Sequence, residues 1–277
     1  MGNLHLLKKH NFRFNKNFGQ NFIFDQNLLR AIVSDAGVTS NSHVVEVGVG
    51  SAMLTKELGL AAKDVTAFEI DNNLKEIIAE TLQDQDNINV VFKDFMQVDL
   101  TELEQQIGKP YIVVANLPYY ITTPIIFKLL EEGKNVQSLT LMMQKEVADR
   151  LVAPSNTKDY GRLSVALGAI ADVKLMRNVS RKMFTPEPNV DSAVVKITLN
   201  RNKFDIKEYK TFNNVVKLAF AMRRKTLMNN LKALNLASEQ LIQIFETLKL
   251  PLTIRGESLS PAQFVDLGNF VFELQQN

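Results

Sequence analysis

The 277-residue sequence contains no cysteine. Disulfides, thiolate metal sites and cysteine nucleophiles are therefore excluded. Histidine is scarce as well. His5, His10 and His43 are too dispersed to suggest a zinc site, so no metal and no histidine-based catalysis is expected. No apolar run approaches the roughly 18 residues of a membrane span, and the basic N-terminus lacks the apolar core of a signal peptide. A soluble cytoplasmic protein with no membrane partner is the expectation. Net charge is also small, +2, so overall electrostatics do not reveal a nucleic-acid partner. Its distribution says more. Lys8, Lys9, Arg13 and Lys16 precede the first acid, Asp25, the middle of the chain is mildly acidic, and residues 200–277 are basic. Two basic zones around an acidic middle suit a catalytic domain that grips phosphates at its edges, or simply a solvated surface.

Forty-five per cent of the residues are hydrophobic, enough for one large domain and a small second one. Short β-branched runs alternate with helical patterns from residue 26 to about 199. Strands are expected near 43–47, 65–68, 88–92, 111–114, 139–143, 173–176 and 193–199, and helices near 26–36, 74–82, 124–133, 145–152 and 163–171. That alternation is an α/β pattern with a mostly parallel sheet. The first strand runs into Gly48-Val49-Gly50 and then a helical pattern, the opening of a nucleotide-binding βαβ unit. Glu69 closes the next strand about 20 residues on, where a carboxylate can accept ribose hydroxyls. Asp94 closes the third; it suits the amino group of an adenine, with Ile70 and Phe95 as apolar faces for the ring, although a turn-forming aspartate is the alternative.

The fourth strand leads into Ala115-Asn116-Leu117-Pro118-Tyr119-Tyr120. An amide, a proline and an aromatic ring at a strand's carboxyl end would put Asn116 and Tyr119 in the crevice where open α/β sheets bind ligands. The competing reading is a strand stop. Upstream, Asn17-Phe18-Gly19-Gln20-Asn21-Phe22-Ile23-Phe24 is too aromatic for a free tail and should dock on the domain. Phe184 stands on a loop stiffened by Pro186 and Pro188, beside Arg181 and Lys182, as a base-stacking candidate or a core plug. Beyond a linker at 200–204 the pattern is helical throughout, with Arg223-Arg224-Lys225 available for RNA phosphates or for solvent.

Seven segments, in order, resemble the ribosomal RNA adenine N6,N6-dimethyltransferases, and in particular the bacterial small-subunit members of that family. They are Asn17-Phe18-Gly19-Gln20-Asn21-Phe22, Glu46-Val47-Gly48-Val49-Gly50, Asn116-Leu117-Pro118-Tyr119, Gln144-Lys145-Glu146-Val147, Tyr160-Gly161-Arg162-Leu163-Ser164, the loop from Phe184 to Ser192, and Arg223-Arg224-Lys225-Thr226-Leu227. Val49, where the family often has proline, and Tyr120, where asparagine is common, depart from the pattern. The resemblance implies a class I, Rossmann-like methyltransferase with a seven-stranded mostly parallel sheet and a small C-terminal all-helical domain. The implied division is an arm over 1–24 docking on the cofactor site, a catalytic domain over 25–200 and a helical rRNA-binding domain over 201–277. It further implies S-adenosylmethionine as cofactor, held by Asn21, Ile23, Gly48, Glu69, Ile70, Asp94, Phe95 and Asn116. Asn116, Leu117 and Tyr119 would be catalytic, Tyr119 and Phe184 would stack the target base, and Arg223, Arg224 and Lys225 would bind RNA. The implied substrate is 16S rRNA in a 30S precursor, modified at two adjacent adenosines of its 3′-terminal hairpin by a monomeric enzyme during ribosome biogenesis. Alternatives are a macrolide-resistance type methyltransferase acting on large-subunit rRNA, an NAD-binding oxidoreductase, and a non-catalytic assembly factor. Leu117, where the macrolide type usually has isoleucine, and Arg255-Gly256-Glu257-Ser258-Leu259 resemble the small-subunit enzymes.

Overall fold

The computed structural model describes residues 3–15, 18–118 and 120–276. Lys16 and Asn17 of the arm, and Tyr119, lie outside the described residues. The arm carries a helix that the sequence reading had not anticipated, Asn3–Lys9 (α1), and a two-residue strand, Phe22–Ile23 (β1). Then come Gln26–Ala36 (α2), His43–Val47 (β2), Met53–Ala61 (α3), Asp64–Glu69 (β3), Lys75–Leu82 (α4), Ile88–Phe92 (β4), Leu100–Ile107 (α5), Tyr111–Asn116 (β5), Thr122–Glu132 (α6), Val136–Gln144 (β6) and Lys145–Leu151 (α7). Arg162–Ile170 (α8), Ala171–Val179 (β7), Phe184–Thr185 (β8) and Ser192–Leu199 (β9) follow, and the chain ends in Tyr209–Ala219 (α9), Leu227–Leu231 (α10), Ser238–Thr247 (α11) and Pro261–Gln276 (α12).

Among the described residues seven strands form one sheet in the order β4-β3-β2-β5-β6-β9-β7. β4, β3, β2, β5 and β6 pair in parallel, and β9 is antiparallel to β6. The expected seven-stranded, mostly parallel sheet is therefore present. The inner parallel strands β2, β3, β5 and β6 are mostly buried because helical crossovers cover them, which is why they read as apolar runs, whereas β4 at the sheet edge is half-buried. From β2 the chain steps outward to β3 and β4, whereas β5 returns to the other side of β2. The strand order therefore reverses between β2 and β5, the place where α/β sheets open a crevice.

Local signals explain the helix ends. Asp25 caps α2 by accepting from the Leu28 N–H, and Gly37, at φ 73°, ends it in the left-handed region. Asp99 caps α5 through the Thr101 and Glu102 N–H groups. That helix was also unanticipated, although it has a cap, apolar positions at Leu100 and Leu103, and a closing Gly108. On one face of the sheet Val44, Val65, Ala67, Ile112, Val114, Met142 and Val194 join one core with α2, α3, α4 and the arm. The arm is fastened there: Phe12, Phe14 and Phe22 have ring centroids 5.3–5.9 Å apart, and Lys9 and His10 reach Glu80 on α4 at 2.6 and 2.8 Å.

By its contacts the chain divides into two compact units, residues 1–148 with 174–198 and residues 149–173 with 199–277. The sequence reading set its boundary near 200. In the structure α8 groups with the C-terminal helices because it packs on α9 and α12. Gly168 makes this possible, since a Cβ there would come within 2.6 Å of the Pro261 ring. Within this second unit Tyr160 donates to the Leu259 carbonyl at 2.8 Å. Arg162 reaches Asn213 at 3.1 Å.

Candidate active site

The site starts with a turn. After β2 the chain passes through Gly48 (φ 83°), Gly50 (φ 56°) and Ala52 (φ 60°) before entering α3. Gly48 donates its N–H to the Phe68 carbonyl at 2.9 Å, tying the turn to β3. At Gly50 the limit is space as well as φ: a Cβ would stand 3.0 Å from the Phe22 ring of the arm. Glu69, at the end of β3, is 6% exposed. Its carboxylate accepts from the N–H groups of Gly50 (2.8 Å), Ile70 (2.9 Å) and Asp71 (2.9 Å). Burial pushes its pKa above the ordinary glutamate value, against the pull of these three amides. Beneath it Asp71, also buried, accepts from the Gln20 side chain at 2.7 Å and so binds the arm to the β3 end.

Asp94 follows β4 and accepts from the Met96 N–H at 2.9 Å, which orients its carboxylate. Phe95 is buried edge-on against Phe68, with centroids 5.3 Å apart. Asn116 is the last residue of β5, two residues longer than the apolar run suggested. Its Nδ2 donates to the Asn21 carbonyl at 3.1 Å, while Asn21 donates its own Nδ2 to the Gly19 carbonyl at 3.0 Å. Leu117 donates its N–H to Met142 of β6 at 3.3 Å, and Thr122 at the start of α6 donates to the Pro118 carbonyl at 3.2 Å. The Asn-Leu-Pro turn is thus held from the arm, the neighbouring strand and the following helix.

These strand ends enclose a cavity of about 220 Å³. Asn21, Ile23, Gly48, Glu69, Ile70, Asp94, Phe95, Asn116, Leu117 and Phe184 all line it, so residues as far apart in sequence as Asn21 and Phe184 border one cavity. Phe184 is 5% exposed, a core residue paired in β8 opposite Ile23 of β1, and it borders the cavity. Arg223 is exposed but engaged by neighbouring groups. Its guanidinium donates to the carbonyls of Lys158 (2.6 Å) and Thr157 (3.4 Å) and bridges to Glu257 at 2.8 Å, all within the second unit. Arg224 and Lys225 are exposed. Sequence reasoning missed Gln20, Asp71, Lys93 and Tyr120. Signals were there for three of them: Gln20 lies in the arm segment and Tyr120 in the Asn-Leu-Pro stretch already singled out, and Asp71 is a second acid two residues after Glu69.

A family model described as ribosomal RNA adenine dimethylase matches residues 11–272. The chain belongs to this family. A ribosomal RNA small subunit methyltransferase A from Clostridioides difficile is 43% identical over 270 residues, covering 96% of this chain and 93% of that protein. Among solved structures, a dimethyladenosine transferase from Plasmodium falciparum is similar with TM-score 0.75 and 25% identity, covering 89% of this chain and 95% of that one. The 23S rRNA methyltransferase ErmE is similar with TM-score 0.67 and 25% identity, covering 91% of this chain and all of that one. As an adenine dimethylase the chain uses S-adenosylmethionine, and the residues present fit it. Gly48, whose missing Cβ would meet nothing nearer than the Asn116 carbonyl at 3.7 Å, leaves room for close backbone approach, Glu69 offers an acceptor to a ribose diol, and Asp94 with Phe95 and Ile70 suits an adenine.

Proposed function

We propose that the protein dimethylates the N6 amino groups of two adjacent adenosines in the 3′-terminal hairpin of small-subunit rRNA, using S-adenosylmethionine. It would act as a cytoplasmic monomer on a precursor of the small subunit. The observation that carries this reading is Asn116, fixed through its Nδ2 by the arm, on the same cavity wall as Glu69 and Asp94.

Adenine N6 is a poor nucleophile because its lone pair is delocalised into the ring. With Nδ2 committed to Asn21, the Asn116 Oδ1 is the end of the amide that can accept an N6 proton. The Leu117 carbonyl takes the second. Two acceptors favour a pyramidal nitrogen whose lone pair is localised. The bound cofactor supplies an already activated electrophile, a sulfonium methyl, so no strong base is required. Position and preorganised dipoles then carry the rate. Glu69 holds the ribose: three of its roughly four acceptor positions are taken by backbone amides, which leaves one on Oε2 for a hydroxyl. Asp94 receives the cofactor adenine amino group, Ile70 and Phe95 its ring faces, and Asn21, Ile23 and Gly48 close the cofactor site. Phe184 and Tyr119 stack on the flipped target base, whose extrusion costs a few kcal/mol.

Mass spectrometry of small-subunit rRNA from cells with and without the protein tests the reading. The dimethyladenosines should vanish without it, and primer extension should show large-subunit rRNA unchanged. A large-subunit change with an unaltered small subunit would move the protein to the macrolide-resistance reading.

The helical region over 201–277 would hold the RNA through Arg224 and Lys225 rather than through Arg223. Replacing both exposed cations by alanine should weaken RNA binding and shallow the log–log salt slope by about 1.4–1.8, the share of two phosphate contacts. Arg223→Ala should instead lower the melting temperature, through loss of Glu257 and the two carbonyls. An unchanged slope in the double variant would mean that the pair is merely solvated.

A further inference from the structure

Tyr120 is a large aromatic residue, 59% exposed, at the wall of the active-site cavity. It follows the Asn-Leu-Pro turn by two positions and takes no part in the steps above. A single exposed ring is ordinary on a protein surface, but this one lines the active-site cavity and so stands where an entering nucleic acid must pass. Its backing is built. Gly19 of the arm, at φ 57°, lies so close that a Cβ there would come 3.3 Å from Pro118 Cβ and 3.7 Å from Tyr120 Cε1. That stretch of arm is itself pinned, because the Gly19 carbonyl accepts from Asn21 and the Asn21 carbonyl accepts from Asn116. The ring edge therefore rests on a backbone that is tied to the proposed catalytic amide, while most of the side chain faces solvent.

We infer that Tyr120 is a stacking platform for the nucleotide flanking the target adenosine, holding the neighbouring base at the cavity mouth while the target occupies the cavity. The inference rests on the proposed RNA substrate and deepens it. A flipped base leaves its neighbour with one unstacked face, and an aromatic side chain at the mouth restores that contact without reading the base's edge. For adjacent targets this would keep the second adenosine beside the cavity during work on the first. Tyr120 then contributes to RNA affinity and positioning and is not required for cofactor binding.

The test uses the full-length protein with bound S-adenosylhomocysteine and a hairpin RNA bearing two adjacent loop adenosines, with affinity read by anisotropy. Tyr120→Ala should weaken RNA binding and raise KM for the RNA by roughly tenfold. Affinity for S-adenosylhomocysteine and kcat should stay within about twofold of wild type, an allowance small beside the RNA effect. Tyr120→Phe keeps the ring and should restore RNA affinity. Wild-type RNA affinity in Tyr120→Ala, or an equal loss of cofactor affinity, overturns the inference. Failure of the wild-type protein to methylate small-subunit RNA would instead overturn the proposed substrate, and the affinity comparison would still decide the role of Tyr120.

Discussion

Asn116→Ala is expected to lower methyl transfer to small-subunit RNA by about 10²–10³-fold or more, the loss seen when one preorganised polar group is removed from a reacting centre. S-adenosylmethionine affinity should change little, because Glu69 ends β3 and Asp94 follows β4, and their backbone partners lie outside the β5 end. The distinction matters because the Asn116 side chain has two ends. Nδ2 donates to the Asn21 carbonyl, so removal also frees one anchor of the arm. Asn116→Asp separates the two roles: it keeps an acceptor for the adenine amino group but replaces the donor to Asn21 with an oxygen. If accepting the N6 proton is the main contribution, the aspartate variant retains more activity than the alanine variant. Single-turnover methylation with saturating RNA measures the transfer step, and calorimetric titration with S-adenosylhomocysteine measures the cofactor. Wild-type single-turnover rates in the alanine variant would remove Asn116 from the chemistry.

Glu46→Gln is expected to flatten the dependence of stability on pH. Glu46 lies in the middle of β2 between Ala67 of β3 and Val114 of β5, and it is completely buried. Neither carboxylate oxygen has a hydrogen-bond partner. Burial raises its pKa to about 8; the negative Glu69 adds to the rise, and Thr55 of α3 opposes it without reaching good hydrogen-bond geometry. A raised folded-state pKa means that the folded chain holds a proton which the unfolded chain releases at its ordinary value of 4.5. The associated stability is fully present below pH 4.5 and is lost as pH rises toward 8. The loss approaches about 1.4 kcal/mol per pH unit between those values. Glutamine has nearly the same shape and does not ionise. The stability advantage of Glu46→Gln over wild type should therefore be small near pH 5 and grow steadily toward pH 8, as read by thermal melts in matched buffers. Parallel curves for the two proteins would mean that Glu46 is ionised in the folded state.

Much of the site was legible because strand ends in a parallel sheet place chemistry at predictable points. Glu69, Asp94 and Asn116 each close a short apolar run, and each borders the cavity. The glycine turn was legible for a related reason, since positive φ at Gly48 and Gly50 strongly favours residues without a Cβ. α5 escaped notice even though its caps and apolar spacing were there to be read, whereas α1 had only Lys8 and Lys9 near its end and no acid in its first turn.

The sequence by itself determined the alternation of strands and helices, the residue types at the strand ends, and the family. These depend on period, dihedral preference and local charge, all of which act over a few residues. Only the tertiary structure decided that α8 joins the C-terminal helices, that Arg223 is taken by Glu257 and two carbonyls, and that Asn21 orients Asn116 across 95 positions. It also decided that the Gly19 backbone closes on Tyr120. Such pairings follow from which surfaces meet when the sheet closes, and polar groups at those meetings take whichever partner has the right geometry within hydrogen-bond reach.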